Sequence, residues 1–280
     1  MKIAIITDSS ADISTQQALD LGVHVTRMPL NINGVDYIEE DGITREDFIE
    51  MMKSGAVVMT SQPPVGVLIN TFEDLLKTHD HLIYIPISSL LSGTYQTART
   101  IAFDYEDKIT VIDAKFVASP LQYLIRDVKI MVEKGMEPEA IKKLVEKEAE
   151  MYAPLIPADI QYLKRGGRMS PAAATIANLL KIYPVLLVAE GKIDLLDKVR
   201  THSKAIKSAV KSLLKKHSVK KYEFGIVEAE ADPVIIKMLQ EEIELETGVP
   251  CPVFKLHPIV MAHTGPGSVA IFAYKKLIKE

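Results

Sequence analysis

Through the first 150 residues, short apolar runs keep alternating with helix-like segments, and that rhythm restricts the chain to few folds. "KIAIITD" reads as a buried strand. "ISTQQALDLG" reads as a helix, with Ser14 and Gln17 spaced as a capping box and Gly22 as its stop. "LIYIPI" precedes the helix-like "GTYQTARTIAFDY", and "KITVIDA" precedes "SPLQYLIRDVKIMVEKG". Such alternation implies parallel strands joined by crossover helices. Within it, "VHVTRMPLNI" and "VDYIE" flank Asn33-Gly34, a hairpin signal. "TREDFIEMMKSG" reads as a helix running from Thr44 to Gly55, and "AVVMT" leads through Pro63-Pro64 into the helix "VLINTFEDLLKTH".

The second half changes character. After the helix-like "EPEAIKKLVEKEAEMY", the segments "PVLLVAEGKIDLLDKVR", "YEFGIVEA", "CPVFKLHPIVMAHT" and "GSVAIFAYKK" read as strands, with Glu190-Gly191 as a hairpin turn. Two helices intervene, "SKAIKSAVKSLLKK" and "PVIIKMLQEEIELETG", the second capped by Asp232 and opened by Pro233. The expected fold is α/β. An N-terminal parallel-sheet α/β domain (residues 1–150) precedes a C-terminal α+β domain (151–280) with a mostly antiparallel sheet. A chain of 280 residues, 48% of them hydrophobic, can bury a core in each.

Several classes of function are disfavoured. The net charge of −4, with both signs dispersed, is no nucleic-acid footprint. No apolar run approaches the roughly 18 residues that span a bilayer, and "MKIAIITDSS" meets Asp8 too early for a signal peptide. Cys251 is the only cysteine, so no internal disulfide forms; it lies between prolines without a basic neighbour to activate it. The expected location is the cytoplasm. There is no phosphate loop, no G-x-S-x-G elbow, and no metal-ligand spacing among the seven histidines. "GPGSVA" fits a dinucleotide fingerprint in letters only, since ten residues follow it and no Rossmann helix fits.

What stands out instead is hydroxyls. "TDSS" (Thr7–Ser10), "TSQ" (Thr60–Gln62) and "SSLLSGT" (Ser88–Thr94) each follow an expected strand and precede an expected helix. In a parallel sheet such turns share the edge where ligands bind. Hydroxyls and free N–H groups at a helix start hold an anion and supply no proton-transfer machinery. Thr60, Ser61, Ser92, Gly93 and Thr94 are the candidate positions, Gly93 allowing close backbone approach. Plain helix capping is the competing reading. Asp8 would repel an anion, and is expected to accept local hydrogen bonds instead. Arg168 in "KRGGRMSP" and Arg200 in "KVRTHSKA" could grip a phosphate or remain solvated. His263 in "MAHTGPG" follows an apolar run read as a strand; it either fills a structural role or bonds a bound anion.

The stretches "TDSSADIS", "TSQPPVG", "ISSLLSGTYQTA", "VIDAK", "KRGGRMS", "LLKIYPVL", "KVRTHSKAI" and "AHTGPGSV" together resemble the DegV family of bacterial proteins, in order from residue 7 to 269. The resemblance implies two α/β domains enclosing one long-chain fatty acid such as palmitate, with no cofactor. Thr60 and Ser92 would hold its carboxylate, with His263 in the same polar network. It further implies a carrier, not an enzyme, which presents that carboxylate to a separate ATP-dependent fatty-acid kinase. Arg168 would then lie near the head group and Arg200 on the kinase-facing surface. Pro64 and Leu90 depart from the family's usual residues but remove no ligand. A tail of ~14 methylenes carries on the order of 11 kcal/mol gross, against roughly 1.5–3 kcal/mol for each hydrogen bond to a charged group. The tail would therefore supply affinity and the hydroxyls would fix the head. "SPAAATIANLLKI" is a candidate wall for that tail. The chain is expected to be a monomer. Two other readings stay open: an enzyme acting on a phosphorylated small molecule clamped by Arg168 and Arg200, and a ligand-dependent adaptor.

Overall fold

Caps and prolines set most element boundaries in the computed structural model, which describes residues 1–175 and 182–278. The first half contains β1 (Ile3–Asp8), α1 (Thr15–Leu21), β2 (His24–Thr26), β3 (Pro29–Ile32), β4 (Val35–Ile38), α2 (Arg45–Lys53) and β5 (Val58–Thr60). It continues with α3 (Val65–Leu76), β6 (His81–Ile85), α4 (Thr94–Ala102), β7 (Ile109–Val111), α5 (Pro120–Glu133) and α6 (Pro138–Glu148). The second half contains β8 (Met151–Ile156), α7 (Ile160–Gly166), α8 (Pro171–Thr175), β9 (Tyr183–Ala189), β10 (Lys192–Val199) and α9 (His202–Lys216). It ends with β11 (Tyr222–Ala229), α10 (Pro233–Thr247), β12 (Val253–Lys255), α11 (Pro258–Thr264) and β13 (Ser268–Lys275). The capping box of Ser14 and Gln17 forms, Gly22 ends α1 in the left-handed region, and Asp232 caps α10 ahead of Pro233.

The architecture is mixed α/β. A parallel sheet of order β2-β1-β6-β7 belongs to the first half, and a six-stranded sheet of order β10-β9-β8-β13-β11-β12 to the second. The latter is antiparallel except where β12 joins β11. Strands covered on both faces read as continuous apolar runs. In β1 and β6, Ala4, Ile6, Leu82 and Tyr84 therefore pack with residues of α3 and α4, while Ile5, Ile83 and Ile85 face the other way. That other face shares one core with Leu155, Leu186, Val227 and Phe272 of the six-stranded sheet, and α5 packs on both β1 and β13. Helices α9 and α10 cover the far side of the larger sheet.

Three expectations are corrected. First, the TSQ turn does not sit at the parallel edge. Strand β5 pairs antiparallel with β3, which pairs with β4 across the Asn33-Gly34 hairpin, making a third, separate sheet. Second, Met151 and Tyr152 leave the helix: α6 ends at Glu148, Ala149 is extended, and "MYAPLI" is an interior strand. Its pairing with β13 lapses at Ala153 and Pro154, where proline has no N–H to donate. Third, "PIVMAHT" is the helix α11, not a strand; Pro258 opens it and Gly265 ends it. Its place between β5, α2 and α7 overrides its strand-like composition. Of the "SPAAATIANLLKI" stretch, residues 176–181 lie outside the described residues.

Candidate functional site

The small antiparallel sheet delivers Thr60 to the end of α11, where its Oγ1 lies 2.8 Å from His263 Nε2. The imidazole is pressed against backbone: a Cβ on Gly166 would sit 2.4 Å from its Nδ1. Burial first, and the Arg168 guanidinium second, push its pKa down to about 4. His263 is thus neutral at neutral pH. Because an unfolded chain takes that proton near 6.5, the stability tied to the neutral ring is whole above 6.5. It drains as pH falls toward 4, by roughly 3 kcal/mol in full. A histidine-resolved NMR titration should place the His263 midpoint well below pH 5, whereas a midpoint near 6.5 would contradict this environment.

The SSLLSGT turn approaches from the C-terminal end of β6. Ser92 Oγ lies 2.8 Å from Thr94 Oγ1 and accepts from the Thr94 N–H at 3.3 Å. Thr94 is fully buried, is not among the residues lining the cavity, and stands behind Ser92. Gly93 also leaves room for a neighbouring side chain: a Cβ there would lie 2.8 Å from Gln62 Oε1. That same oxygen accepts from Thr97 Oγ1 at 3.1 Å, tying the two hydroxyl turns together. In the first turn, Asp8 accepts from Ser10 Oγ and from the N–H groups of Ser10 and Ile87, as expected of it. Burial still lifts its pKa to about 6.

Thr60, Ser61, Ser92, Gly93, His263 and Arg168 line the mouth of one cavity, which holds about 1220 Å³ of empty space with its opening included. The wall behind is apolar, contributed by the six-stranded sheet, by α11 and by the turns that follow the parallel strands, with Val117, Leu155, Val227 and Phe272 among its side chains. Arg168 is exposed, and donates from Nε to Leu91 O at 3.3 Å and from its η1 nitrogen to Gly166 O. Arg200 is also exposed and lies outside the cavity wall, beside the Thr201 cap of α9. Sequence reasoning missed Thr264, a buried lining residue whose Oγ1 has no partner. It also missed Ala153 and Ala270, which thin the wall; alanine inside a strand is the signal that could have shown them.

The base of α11 is anchored separately. The His257 N–H donates to Asp12 Oδ1 at 2.9 Å, and Ser119 Oγ donates to Asp12 Oδ2 at 2.8 Å. His257 Nδ1 lies 2.7 Å from Glu39 Oε1, an ion pair poorly angled for a hydrogen bond, and Glu39 Oε2 meets no donor. Cys251 is buried, and burial pushes its thiol up to about 12. Among the described residues, no cluster of His, Cys, Asp or Glu could hold a metal ion, and no helix is long and apolar enough to cross a membrane.

An apolar chamber against one face of the six-stranded sheet, entered through hydroxyls and a neutral imidazole, defines a class of mixed α/β proteins built around an apolar cavity. The family model described as uncharacterised protein of the DegV family matches residues 2–276. The chain belongs to the DegV family. It is 30% identical over 279 residues to a DegV domain-containing protein of Staphylococcus aureus, covering 98% of this chain and 99% of that one. A DegV domain-containing protein of Halalkalibacterium halodurans is 32% identical over 280 residues, covering 98% of each. Among solved structures, a DegV family protein from Thermus thermophilus, described by its fatty acid binding, matches with TM-score 0.86 at 27% identity, over 99% of this chain and 100% of that one. DegV from Bacillus subtilis, described as a fatty acid binding protein, matches with TM-score 0.81 at 28% identity, over 99% and 100%.

Proposed function

We propose that this protein binds one long-chain fatty acid, its carboxylate at Thr60 and Ser92 and its tail in the apolar chamber. The observation that carries this reading is the pairing of that chamber with a mouth of hydrogen-bond donors. The Thr60–His263 contact gives the mouth a direction. If the neutral imidazole donates from Nε2 to Thr60 Oγ1, the threonine hydroxyl is left to donate to an anion. Ser92, with Thr94 behind it, supplies a second hydroxyl. The relatives from Thermus thermophilus and Bacillus subtilis, each described as binding fatty acid, support the same ligand class.

The protein acts as a carrier that presents the carboxylate to a separate fatty-acid kinase. Exposed Arg168 beside the mouth suits that role, and Arg200 contributes to the partner-facing surface. Helix α6 ends at Glu148 and the first strand of the six-stranded sheet opens at Met151, which supports domains of residues 1–150 and 151–280. A hydroxyl–imidazole pair could instead suggest a nucleophile and its base. But a histidine held near pKa 4 is a weak base at neutral pH, and no carboxylate stands behind its Nδ1 in the described contacts.

Denaturing extraction of the purified protein, followed by mass spectrometry, should release a long-chain fatty acid in near-equimolar amount. Recovery of a phosphorylated metabolite, or of nothing after incubation with fatty acids, would overturn the reading. Ser92→Ala should fold normally yet lose roughly ten- to a hundredfold in fatty-acid affinity, one charged hydrogen bond's worth; unchanged affinity would remove Ser92 from the site.

A further inference from the structure

Two cavities approach one another across a wall of aromatic rings. Phe272 of β13 is fully buried and lines the main chamber, whereas Phe254 and Tyr123 behind it do not. The Phe272 ring meets Tyr123 edge-on at 5.5 Å between centroids, and Phe254 at 6.0 Å; Tyr123 and Phe254 close the triangle at 5.8 Å. On its other side Tyr123 lines a second cavity with about 640 Å³ of empty space, rimmed by Arg126, Tyr222, Glu223 and Lys276. The Arg126 guanidinium lies over the Tyr123 ring at 5.0 Å and pairs with Glu223 at 2.7 Å, holding the outer ring in place.

Phe272 also stands far from the mouth. Ser268, four positions earlier on β13, donates to Thr264 O beside His263. Four residues of strand cover roughly 13 Å. Its ring is fixed from below by Gly225, its partner on β11, where a Cβ would lie 2.5 Å from Phe272 Cζ and 3.1 Å from the Phe254 ring. A glycine in a strand interior commonly marks such a close approach.

We infer that Phe272 is the stop that decides how long an acyl tail the chamber accepts, with Tyr123 as its backing and the second cavity as the space beyond. This rests on the fatty-acid reading above. A tail whose methyl end reaches the Phe272 ring gains nothing from another methylene unless the ring yields, and three neighbours prevent that. Side-wall residues such as Val227 touch tails of every length and carry no such selectivity.

The test measures the affinity of delipidated full-length protein for straight-chain saturated acids from dodecanoic to docosanoic. In the wild type, affinity should climb with length and then drop. Phe272→Ala should move that drop to longer acids and raise affinity for the first excluded acid about tenfold, the worth of two further buried methylenes. Acids too short to reach the ring should bind as before. Phe272→Leu, a gentler change that guards against misfolding, should move the drop in the same direction by less. A cutoff that stays in place in the folded variants overturns the stop while leaving fatty-acid binding intact. A wild type that binds none of the acids overturns both.

Discussion

Replacing His257 with alanine is expected to destabilise the protein by about 3–5 kcal/mol, the usual cost of stripping one partner from a buried ion pair. Glu39 has 2% of its side chain exposed, and the His257 imidazole at 2.7 Å is its cation. Deleting that ring leaves a buried charge with no donor on either oxygen. Urea denaturation of the ligand-free protein checks this, and a loss below about 1 kcal/mol would show the pair to be idle. Replacing both residues, as Glu39→Met with His257→Leu, should recover most of the loss, because apolar side chains of similar volume often serve as well.

The pH dependence follows from the same contacts. Burial pulls the His257 pKa down, but the Glu39 contact and the charges of Asp12 and Glu39 outweigh it and hold the ring above its ordinary 6.5. The pair's contribution is therefore complete below 6.5 and fades as pH rises through the higher folded value. The stability gap between wild type and His257→Ala should narrow over that range. Asp12, lifted by burial to about 6 from 3.8, acts in the same sense, its stabilising effect being lost as pH rises through 6.

Gly265→Ala is expected to cost about 2–4 kcal/mol and, with it, to abolish retention of the proposed fatty acid. Gly265 has φ +80° and ψ 155°, a region essentially closed to residues with a Cβ, where strain alone costs roughly 1–3 kcal/mol. The new methyl would also stand 2.3 Å from Cδ2 of the Tyr162 ring. Because Gly265 closes α11 two residues after His263, relief of the clash would draw His263 off Thr60. Thermal unfolding and lipid extraction on one preparation check both parts. A folded variant with a full complement of lipid would show the turn to be tolerant.

The parallel sheet was readable because β1, β6 and β7 are apolar runs bounded by turn residues. Strand β8 was not, since Pro154 argues against a strand and Met151 follows a helix almost at once. Helix α11 was hidden for another reason: seven residues are too few to display a period, and His257 makes no side-chain cap. At the site, the residue types of Thr60, Ser92 and His263 suggested an anion-binding mouth. The contact between Thr60 and His263, 203 residues apart, belongs to tertiary structure alone. The Glu39–His257 pair had no local sign at all, because each residue lies in an ordinary polar stretch.

Strand β13 lies between β8 and β11 in the middle of its sheet, yet of the described strands it is the last to be translated. A ribosome that has reached residue 250 has made both flanking strands and left a gap where their shared neighbour belongs. Until the final strand slots in, the nascent polypeptide has open β edges and no finished compartment, a condition in which chaperones are useful. The cavity wall that β13 supplies through Ala270 and Phe272 is therefore the last part of the chamber to be put in place.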